Sequence, residues 1–216
     1  MSRAPQKLVE GFQRFRAQHF EQRGGLFQKL VQQGQTPKTL VVACCDSRVD
    51  PALVLDCEPG DLFVIRNVAN LVPPAEDRAG HHGTTAAIEY GVRNLGVEHI
   101  IVLGHAQCGG ITNLVRTGGV SNPGSFIDDW MCLVESARAS VMQDLPDAPL
   151  EQQTRACEQR AILVSLQNLM TFFWVKERVE QGLLTLHGWY FDIEQGQLLA
   201  YNLATKQFEP LAVSSL

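Results

Sequence analysis

The chain has 216 residues, of which 45% are hydrophobic and 19% are charged, and its formal net charge at pH 7 is −5. These values are typical of an ordinary globular domain, and the length suits one domain rather than two. The basic residues form no block, which argues against nucleic acid or an anionic membrane surface as the main partner. No apolar run approaches the roughly 20 residues needed to cross a bilayer, so no membrane span is predicted.

The segment from Met1 to Lys7 leads into an amphipathic pattern and lacks the apolar core of a signal peptide. We therefore expect a cytoplasmic protein. Because the cytosol is reducing, its six cysteines are expected to be free thiols or metal ligands rather than disulfides.

Leu8, Phe12 and Phe15 recur at helical spacing and predict an amphipathic helix, which a second helix over residues 21–32 follows. Residues 1–34 are thus interpreted as an N-terminal helical arm and residues 35–216 as a single α/β core. Two placements of the arm are open, since its apolar residues can pack on its own domain or on a neighbouring subunit.

Beyond the arm, apolar runs separated by turn residues predict strands alternating with helices. Strands are expected at residues 39–44, 62–66, 99–103, 183–192 and 198–203. Helices are expected at residues 50–55, 84–95, 108–115, 126–142 and 151–181. The turn Glu194-Gln195-Gly196 makes the last two strands a hairpin. This order is typical of an α/β fold with a mainly parallel central sheet, an antiparallel edge hairpin and helices on both faces.

Residues 67–83 show no clear period and are interpreted as a long loop, which in a compact domain usually serves a purpose such as covering a site. His81 and His82 at its end offer proton acceptors. Exposed histidines without such a role are, however, more common.

Polar side chains follow two of the predicted strands at the point where each strand ends. Cys44-Cys45-Asp46-Ser47-Arg48 follows the first strand, and His105-Ala106-Gln107-Cys108 follows the third. The carboxyl ends of parallel strands are where open α/β sheets place their sites. Two cysteines and one histidine are three ligands for a tetrahedral zinc with an open fourth position, which is typical of a catalytic zinc.

The alternation of side chains along a strand predicts that Cys44, Asp46 and Arg48 point to one side and that Cys45 packs into the core. Cys108 is expected at a helix N-terminus, where the dipole favours a thiolate. A structural zinc with Asp46 as the fourth ligand is the main alternative. A redox pair of Cys44 and Cys45 is disfavoured, because adjacent cysteines form a strained disulfide.

The two motifs together resemble the paired signature of the β-class carbonic anhydrases, in its plant-like branch. The signature is Cys44-x-Asp46-Ser47-Arg48 followed by His105-x-x-Cys108-Gly-Gly, and the likeness extends over about residues 35–111. The resemblance implies reversible hydration of carbon dioxide to bicarbonate and a proton, with a zinc-bound hydroxide as the nucleophile. It also implies one Zn²⁺ per subunit and a homodimer or a higher even-numbered homo-oligomer.

The resemblance assigns roles to individual positions. Cys44, His105 and Cys108 match the zinc ligands. Asp46 matches the carboxylate that orients the hydroxide, and Arg48 the group that holds it. Asp46 is also the fourth zinc ligand in a closed state of some relatives. The substrate pocket is matched by Gln35, Phe63, Val68, Tyr90 and Gly109, of which Gln35 and Phe63 are candidates for reaching across a dimer interface.

Two positions depart from the relatives that bicarbonate inhibits at a second site. Val41 and Phe191 stand where those relatives have Trp and Tyr, so we expect an open zinc site at neutral to alkaline pH. Two rival functions are kept. One is hydrolysis of carbonyl sulfide or carbon disulfide on the same scaffold, and the other is a non-catalytic zinc protein used for assembly.

Overall fold

The computed structural model describes residues 5–21, 25–75, 82–119, 122 and 124–211. Within them, six strands form one sheet in the order β2-β1-β3-β4-β5-β6. Their bounds are Thr39–Cys44 (β1), Leu62–Asn67 (β2), His99–His105 (β3), Thr185–Asp192 (β4), Gln197–Asn202 (β5) and Gln207–Pro210 (β6). The first four strands pair in parallel, and β4, β5 and β6 pair in antiparallel fashion. The predicted fold class is confirmed.

Helices surround this sheet and connect its parallel strands. They are α1 (Gln6–Phe15), α2 (Gly25–Gln33), α3 (Pro51–Val54), α4 (Gly83–Glu89), α5 (Gly109–Thr117), α6 (Phe126–Met131), α7 (Glu135–Asp144), α8 (Leu150–Leu169) and α9 (Phe173–Glu180). Wider π-helical turns extend α1 over Arg16–Glu21 and α4 over Tyr90–Leu95.

Local sequence signals set several of these boundaries. The Asp50 carboxylate accepts hydrogen bonds from the backbone N–H groups of Ala52 and Leu53 and begins α3, with Pro51 at its first position. The extension of α4 ends at Gly96, whose φ of 66° is a left-handed conformation that glycine adopts without strain. Both boundaries agree with the prediction.

The predicted helix over residues 151–181 is wrong as one continuous helix, because the chain breaks between α8 and α9. The Thr171 hydroxyl donates a hydrogen bond to the Asn168 carbonyl and accepts one from the Ala75 N–H, at 2.6 and 2.7 Å. Phe172 then takes an extended backbone and buries its ring in the core. No glycine or proline marks this break, so the apolar pattern runs through it.

Two smaller features of the structure also differ from the prediction. The predicted helix over residues 126–142 is α6 and α7 joined by a 3₁₀ turn at Cys132–Val134. The edge is a three-stranded meander rather than a hairpin, since β6 follows β5. β6 is only four residues long and exposes both of its ends, so its sequence carries little alternation that a prediction can use.

The central strands β1 and β3 are buried on both faces, as expected for parallel strands. Leu40, Val42, Ile100 and Val102 belong to the core on one face. Their strand neighbours Val41, Ala43, Ile101 and Leu103 form a cluster on the other face. This packing fixes β1 and β3 side by side, so Cys44 and His105 meet at the same edge of the sheet.

The predicted arm is helical but does not pack into the core. Among the described residues, α1 and α2 bury no side chain, and Leu8 and Phe12 are 68% and 63% exposed. Phe15 instead contacts Phe27 of α2, with ring centroids 5.5 Å apart. The apolar face of α1 is therefore not covered by its own core, and packing on a neighbouring subunit stays a prediction.

The predicted long loop begins with a 3₁₀ turn at Val68–Asn70. Residues 76–81, and with them His81, lie outside the described residues. None of the helices in the described part of the chain combines the length and the apolar character that spanning a membrane requires.

Candidate metal centre

Three potential metal-binding atoms converge at the carboxyl ends of β1 and β3. The Sγ atoms of Cys44 and Cys108 and a ring nitrogen of His105 all lie within 4.8 Å of one another. The three residues are 5%, 2% and 1% exposed. A buried group of two sulfurs and one nitrogen at this spacing has the composition of a zinc site with three protein ligands.

The hydrogen bonding of His105 shows which nitrogen is available. Nδ1 lies 2.8 Å from the carbonyl oxygen of Ala106, and because a carbonyl only accepts, Nδ1 carries the proton. In the neutral ring, Nε2 is then an unprotonated acceptor, and it is buried without a hydrogen-bond partner among the described residues. An orphaned buried acceptor is costly in a folded protein, and a metal ion at this position would satisfy it. A backbone carbonyl on the other nitrogen is the usual support of a histidine ligand.

The two thiols are arranged so that ionising one of them is easy. A hydrogen bond from Cys108 lowers the pKa of Cys44, against the effect of burial. The hydrogen bond to Cys44, together with burial, raises the pKa of Cys108. Thiolates are the metal-binding form of cysteine, so the residues present fit a zinc ion.

The first ligand segment is held by Arg66 of the neighbouring strand β2. Its guanidinium donates hydrogen bonds to the carbonyl oxygens of Cys44 and Asp46, at 2.9 and 2.6 Å, and to the Asp50 carboxylate at 2.8 Å. The thiol of Cys45 is exposed, and the prediction that Cys45 packs into the core is wrong. β1 ends at Cys44, so the alternation of faces does not continue into the turn that follows.

Asp46 and Arg48 form a two-point ion pair beside the ligands. Arg48 Nε and Nη2 donate to the two carboxylate oxygens of Asp46 at 2.9 and 2.7 Å. The Arg48 backbone N–H adds a third hydrogen bond at 2.9 Å. The guanidinium holds the pKa of the Asp46 carboxyl well below its usual range. Among the described residues, Asp46 is not part of the metal-binding group.

Glu158 is a residue of this site that sequence reasoning missed. It lies on α8, is 3% exposed, and accepts hydrogen bonds from the Cys108 N–H at 2.8 Å and the Tyr190 hydroxyl at 2.7 Å. Burial raises its pKa, against the effect of these two hydrogen bonds. The available signal was a carboxylate in the buried stripe of a long helix, between Cys157 and Ala161.

The five residues matched to a substrate pocket fall into two groups. Val68 and Gly109 lie near the ligands, since Val68 follows β2 directly and Gly109 begins α5 after Cys108. Phe63 and Tyr90 contact each other, with ring centroids 6.0 Å apart. Phe63 pairs with Leu40 in the sheet register, whereas Asn67 pairs with Cys44.

That register places Phe63 four residues from the metal end of β2, or roughly 13 Å along the strand. Gln35 is exposed and precedes β1 altogether, at the amino end of the strand. The parallel strands thus have Gln35, Phe63 and Tyr90 near their amino ends. The candidate ligands of the same chain lie at the opposite, carboxyl ends.

A family model described as carbonic anhydrase matches residues 39–198 of the chain. Beta carbonic anhydrase 3 of Arabidopsis thaliana is 37% identical over 213 residues, covering 98% of this chain and 82% of the relative. The chain belongs to the β-class carbonic anhydrases. A carbonic anhydrase of Synechocystis sp. is 38% identical over 197 residues, covering 91% of this chain and 71% of the relative.

Solved structures of the same class agree with this assignment. The β-carbonic anhydrase CcaA has a TM-score of 0.89 at 36% identity, with 97% of this chain and 92% of that chain covered. One of two tetrameric β-carbonic anhydrases of Sordaria macrospora has a TM-score of 0.79 at 28% identity, with 95% and 98% covered. The chain is thus an enzyme of this class, and hydration of carbon dioxide is the activity that its family supports.

Proposed function

We propose that this β-class carbonic anhydrase interconverts carbon dioxide and bicarbonate with one Zn²⁺ per subunit, held by Cys44, His105 and Cys108. The observation that carries the proposal is the buried Nε2 of His105, which lies beside two sulfurs and has no hydrogen-bond partner in the described part of the chain. Zinc, when bound, supplies Lewis acidity that makes a water molecule nucleophilic near neutral pH. Three protein ligands leave a fourth position for that water.

Asp46 and Arg48 supply the orientation that the reaction needs. Because the carboxyl pKa of Asp46 is held far below neutrality, the carboxylate is ionised at physiological pH and can only accept a hydrogen bond. It would therefore accept a hydrogen bond from the attacking water or hydroxide without taking its proton, which would leave a lone pair of the attacking oxygen directed at carbon dioxide. Arg48 keeps the carboxylate ionised and aimed through its two-point contact.

The test is stopped-flow hydration of carbon dioxide by the purified protein, with the zinc content measured in parallel. We expect one zinc per chain, activity that a chelator abolishes, and recovery on addition of zinc. Full zinc content without hydration would favour the rival of a non-catalytic zinc protein. Faster turnover of carbonyl sulfide or carbon disulfide than of carbon dioxide would favour the rival hydrolase.

We also infer an even-numbered homo-oligomer in which Gln35, Phe63 and Tyr90 of one chain serve the site of another. Their distance from their own ligands supports this, as does the tetrameric state of the Sordaria relatives. An Asp46→Ala chain coexpressed with a Tyr90→Ala chain tests it. If Tyr90 acts across the interface, one site of each mixed dimer is intact and activity recovers. If Tyr90 acts within its own chain, every site is defective.

We further infer that residues 1–34 are an arm that packs on the neighbouring subunit of the 35–216 core. The support is the exposed apolar face of α1. A chain shortened to residues 35–216 is expected to bind zinc but to assemble less stably by light scattering. A cytoplasmic location is inferred from the six free thiols, and cell fractionation tests it.

A further inference from the structure

Gln107 lies between the metal ligands His105 and Cys108, and neither the resemblance nor the proposed mechanism gives it a role. Its φ of 59° is a left-handed conformation that residues other than glycine rarely adopt. We propose that Gln107, backed by Glu194, is a positioning residue that locks the Arg48 guanidinium onto Asp46. The inference rests on the proposed function, because it concerns the pair that orients the attacking water.

The guanidinium of Arg48 is held from two sides. One side makes the two-point contact with the Asp46 carboxylate. On the other side, Nη2 donates to the backbone carbonyl of Gln107 at 3.1 Å, and Nη1 donates to its side-chain Oε1 at 3.4 Å. The Arg48 side chain is 48% exposed, so packing alone does not hold it. Without Gln107, Arg48 and Asp46 could move together as a pair.

Glu194 determines the orientation of the Gln107 amide. Gln107 Nε2 donates to the Glu194 carboxylate. A carboxylate accepts only and a guanidinium donates only, so the amide can satisfy both neighbours in one orientation alone, with Oε1 toward Arg48. Glu194 is therefore needed to position Arg48. Without its carboxylate, the Gln107 amide is free to turn its NH₂ group toward the Arg48 guanidinium, and two donor groups repel each other.

Glu194 is itself fixed by buried structure. Its N–H donates to Asp192 Oδ1 at 3.1 Å, and the other oxygen of Asp192 accepts from Arg155 at 2.7 Å. Asp192 is 1% exposed. The ligand turn is attached to the same strand, because the Ala106 N–H donates to the Phe191 carbonyl at 2.9 Å. The end of β4 thus holds both Gln107 and the ligand turn in one frame.

Three zinc-loaded variants test the proposal. Gln107→Gly keeps the carbonyl and suits the left-handed backbone but removes the amide. Glu194→Gln replaces a carboxylate that only accepts with an amide that can also donate, so the orientation of the Gln107 amide is no longer fixed. Gln107 and Glu194 line a surface cavity together with Glu151. Glu151→Gln is therefore the control, since it removes a different carboxylate from the wall of that cavity. We expect unchanged zinc content and KM in all three, with kcat lower by about tenfold in Gln107→Gly and by a smaller factor in Glu194→Gln.

The double variant should be no worse than Gln107→Gly alone, because both changes remove one and the same contact. A second readout does not depend on activity. Modification of Arg48 by phenylglyoxal, followed by mass spectrometry, should be several-fold faster in both variants, with Arg116 as the internal reference.

Parental kcat and an unchanged Arg48 modification rate in both variants would overturn the proposal, as would an equal loss in Glu151→Gln. If Gln107→Gly fails to fold, Glu194→Gln decides by the same two measurements. The two proposals can fail separately. If the parent protein does not hydrate carbon dioxide but Arg48 is still modified faster in the variants, the proposed function is refuted and the positioning contact is supported.

Discussion

The two ligand segments of this enzyme are supported in opposite ways. The segment from Cys44 to Arg48 is held mainly by residues close to it in sequence, since Arg48 and Asp46 are two positions apart and Arg66 is 22 positions from Cys44. Its contact with Gln107, 59 positions from Arg48, links it to the second segment. The segment from His105 to Cys108 is held by Glu158 and Glu194, which are 50 and 87 positions from their partners.

This difference in support corresponds to two different roles, which are contact with substrate and binding of the metal. The first segment ends in a half-exposed guanidinium and a carboxylate that reach the surface, so it can present groups to substrate and water. Apart from the exposed Gln107, the second segment is buried and contains two of the three proposed ligands, so it depends on packing between distant elements. Changes in the first segment beyond Cys44 should therefore affect turnover, and loss of the buried support Glu158 should affect metal binding. Gln107 and Glu194 are the exception, because they contact Arg48 of the first segment and should act on turnover through it.

The largest expected effect is loss of zinc, and it should distinguish Cys44, the last residue of β1, from Cys45 in the turn that follows. Cys44→Ser should lose zinc, because a buried ligand sulfur is replaced by a hydroxyl that does not ionise near neutral pH. Cys45→Ser should keep one zinc per chain, because its thiol is exposed and outside the metal-binding group. Elemental analysis of both variants checks this, and equal zinc loss in the two would contradict the ligand assignment.

A large effect on turnover without metal loss is expected from the ion pair. Asp46→Ala and Arg48→Ala should retain zinc but lower kcat by about 10² or more, as positioned catalytic groups do. Lys38→Ala is a matched control, because it removes a basic residue from an exposed ion pair with Glu98. Stopped-flow rates with measured zinc content decide the outcome. A near-parental rate in either variant at alkaline pH removes that residue from the mechanism.

The sequence was sufficient where the determinants are local. The apolar runs that end at Cys44 and before His105 predicted the strands, and the strand order brings the ligands together because both strands are parallel neighbours. The side of Cys45 was predicted wrongly, since the rule of alternating faces holds only while the strand lasts. The roles of Gln35, Phe63 and Tyr90 came from the family resemblance alone and stay predictions.

The supports of the second segment could not be predicted in the same way. Glu158 is one carboxylate on a long helix, and nothing in its neighbourhood shows that its partner is the Cys108 N–H. The break at Thr171 depends likewise on a hydrogen bond with Ala75, 96 positions away. Such contacts arise from packing of whole elements, and no local period or motif records them.

An intermediate effect on metal affinity is expected at Glu158. Glu158→Ala leaves the Cys108 N–H and the Tyr190 hydroxyl without partners, which costs about 1–3 kcal/mol for each buried group. Loss of such a support typically lowers metal affinity by about 10- to 100-fold. Tyr190→Phe removes only the hydrogen bond farther from the ligand and should have a smaller effect. Competition with a zinc chelator measures both affinities, and a parental value in Glu158→Ala would show that the second segment needs no distant support.

The smallest expected effect is on the pH dependence of the folding stability. It comes from His187, a residue of the sheet outside both ligand segments. His187 Nε2 is 3.2 Å from His99 Nδ1, and burial, followed by the nearby His99, lowers the pKa of His187 below its ordinary value of 6.5. The folded state therefore binds this proton less readily than the unfolded state does. The contribution of neutral His187 to the free energy of unfolding is therefore complete above about pH 6.5, and it decreases as the pH falls toward the lowered pKa.

His187→Gln should therefore lose less stability than the parent between pH 7.5 and 5.5, in urea unfolding at one fixed protein concentration. Zinc release on acidification affects both proteins alike, so the difference between them isolates the histidine. Asp46→Asn is the matched comparison. The pKa of Asp46 lies well below this window, so its removal should leave the pH dependence unchanged. A flatter pH profile in Asp46→Asn than in His187→Gln would place the acid sensitivity at the first ligand segment instead.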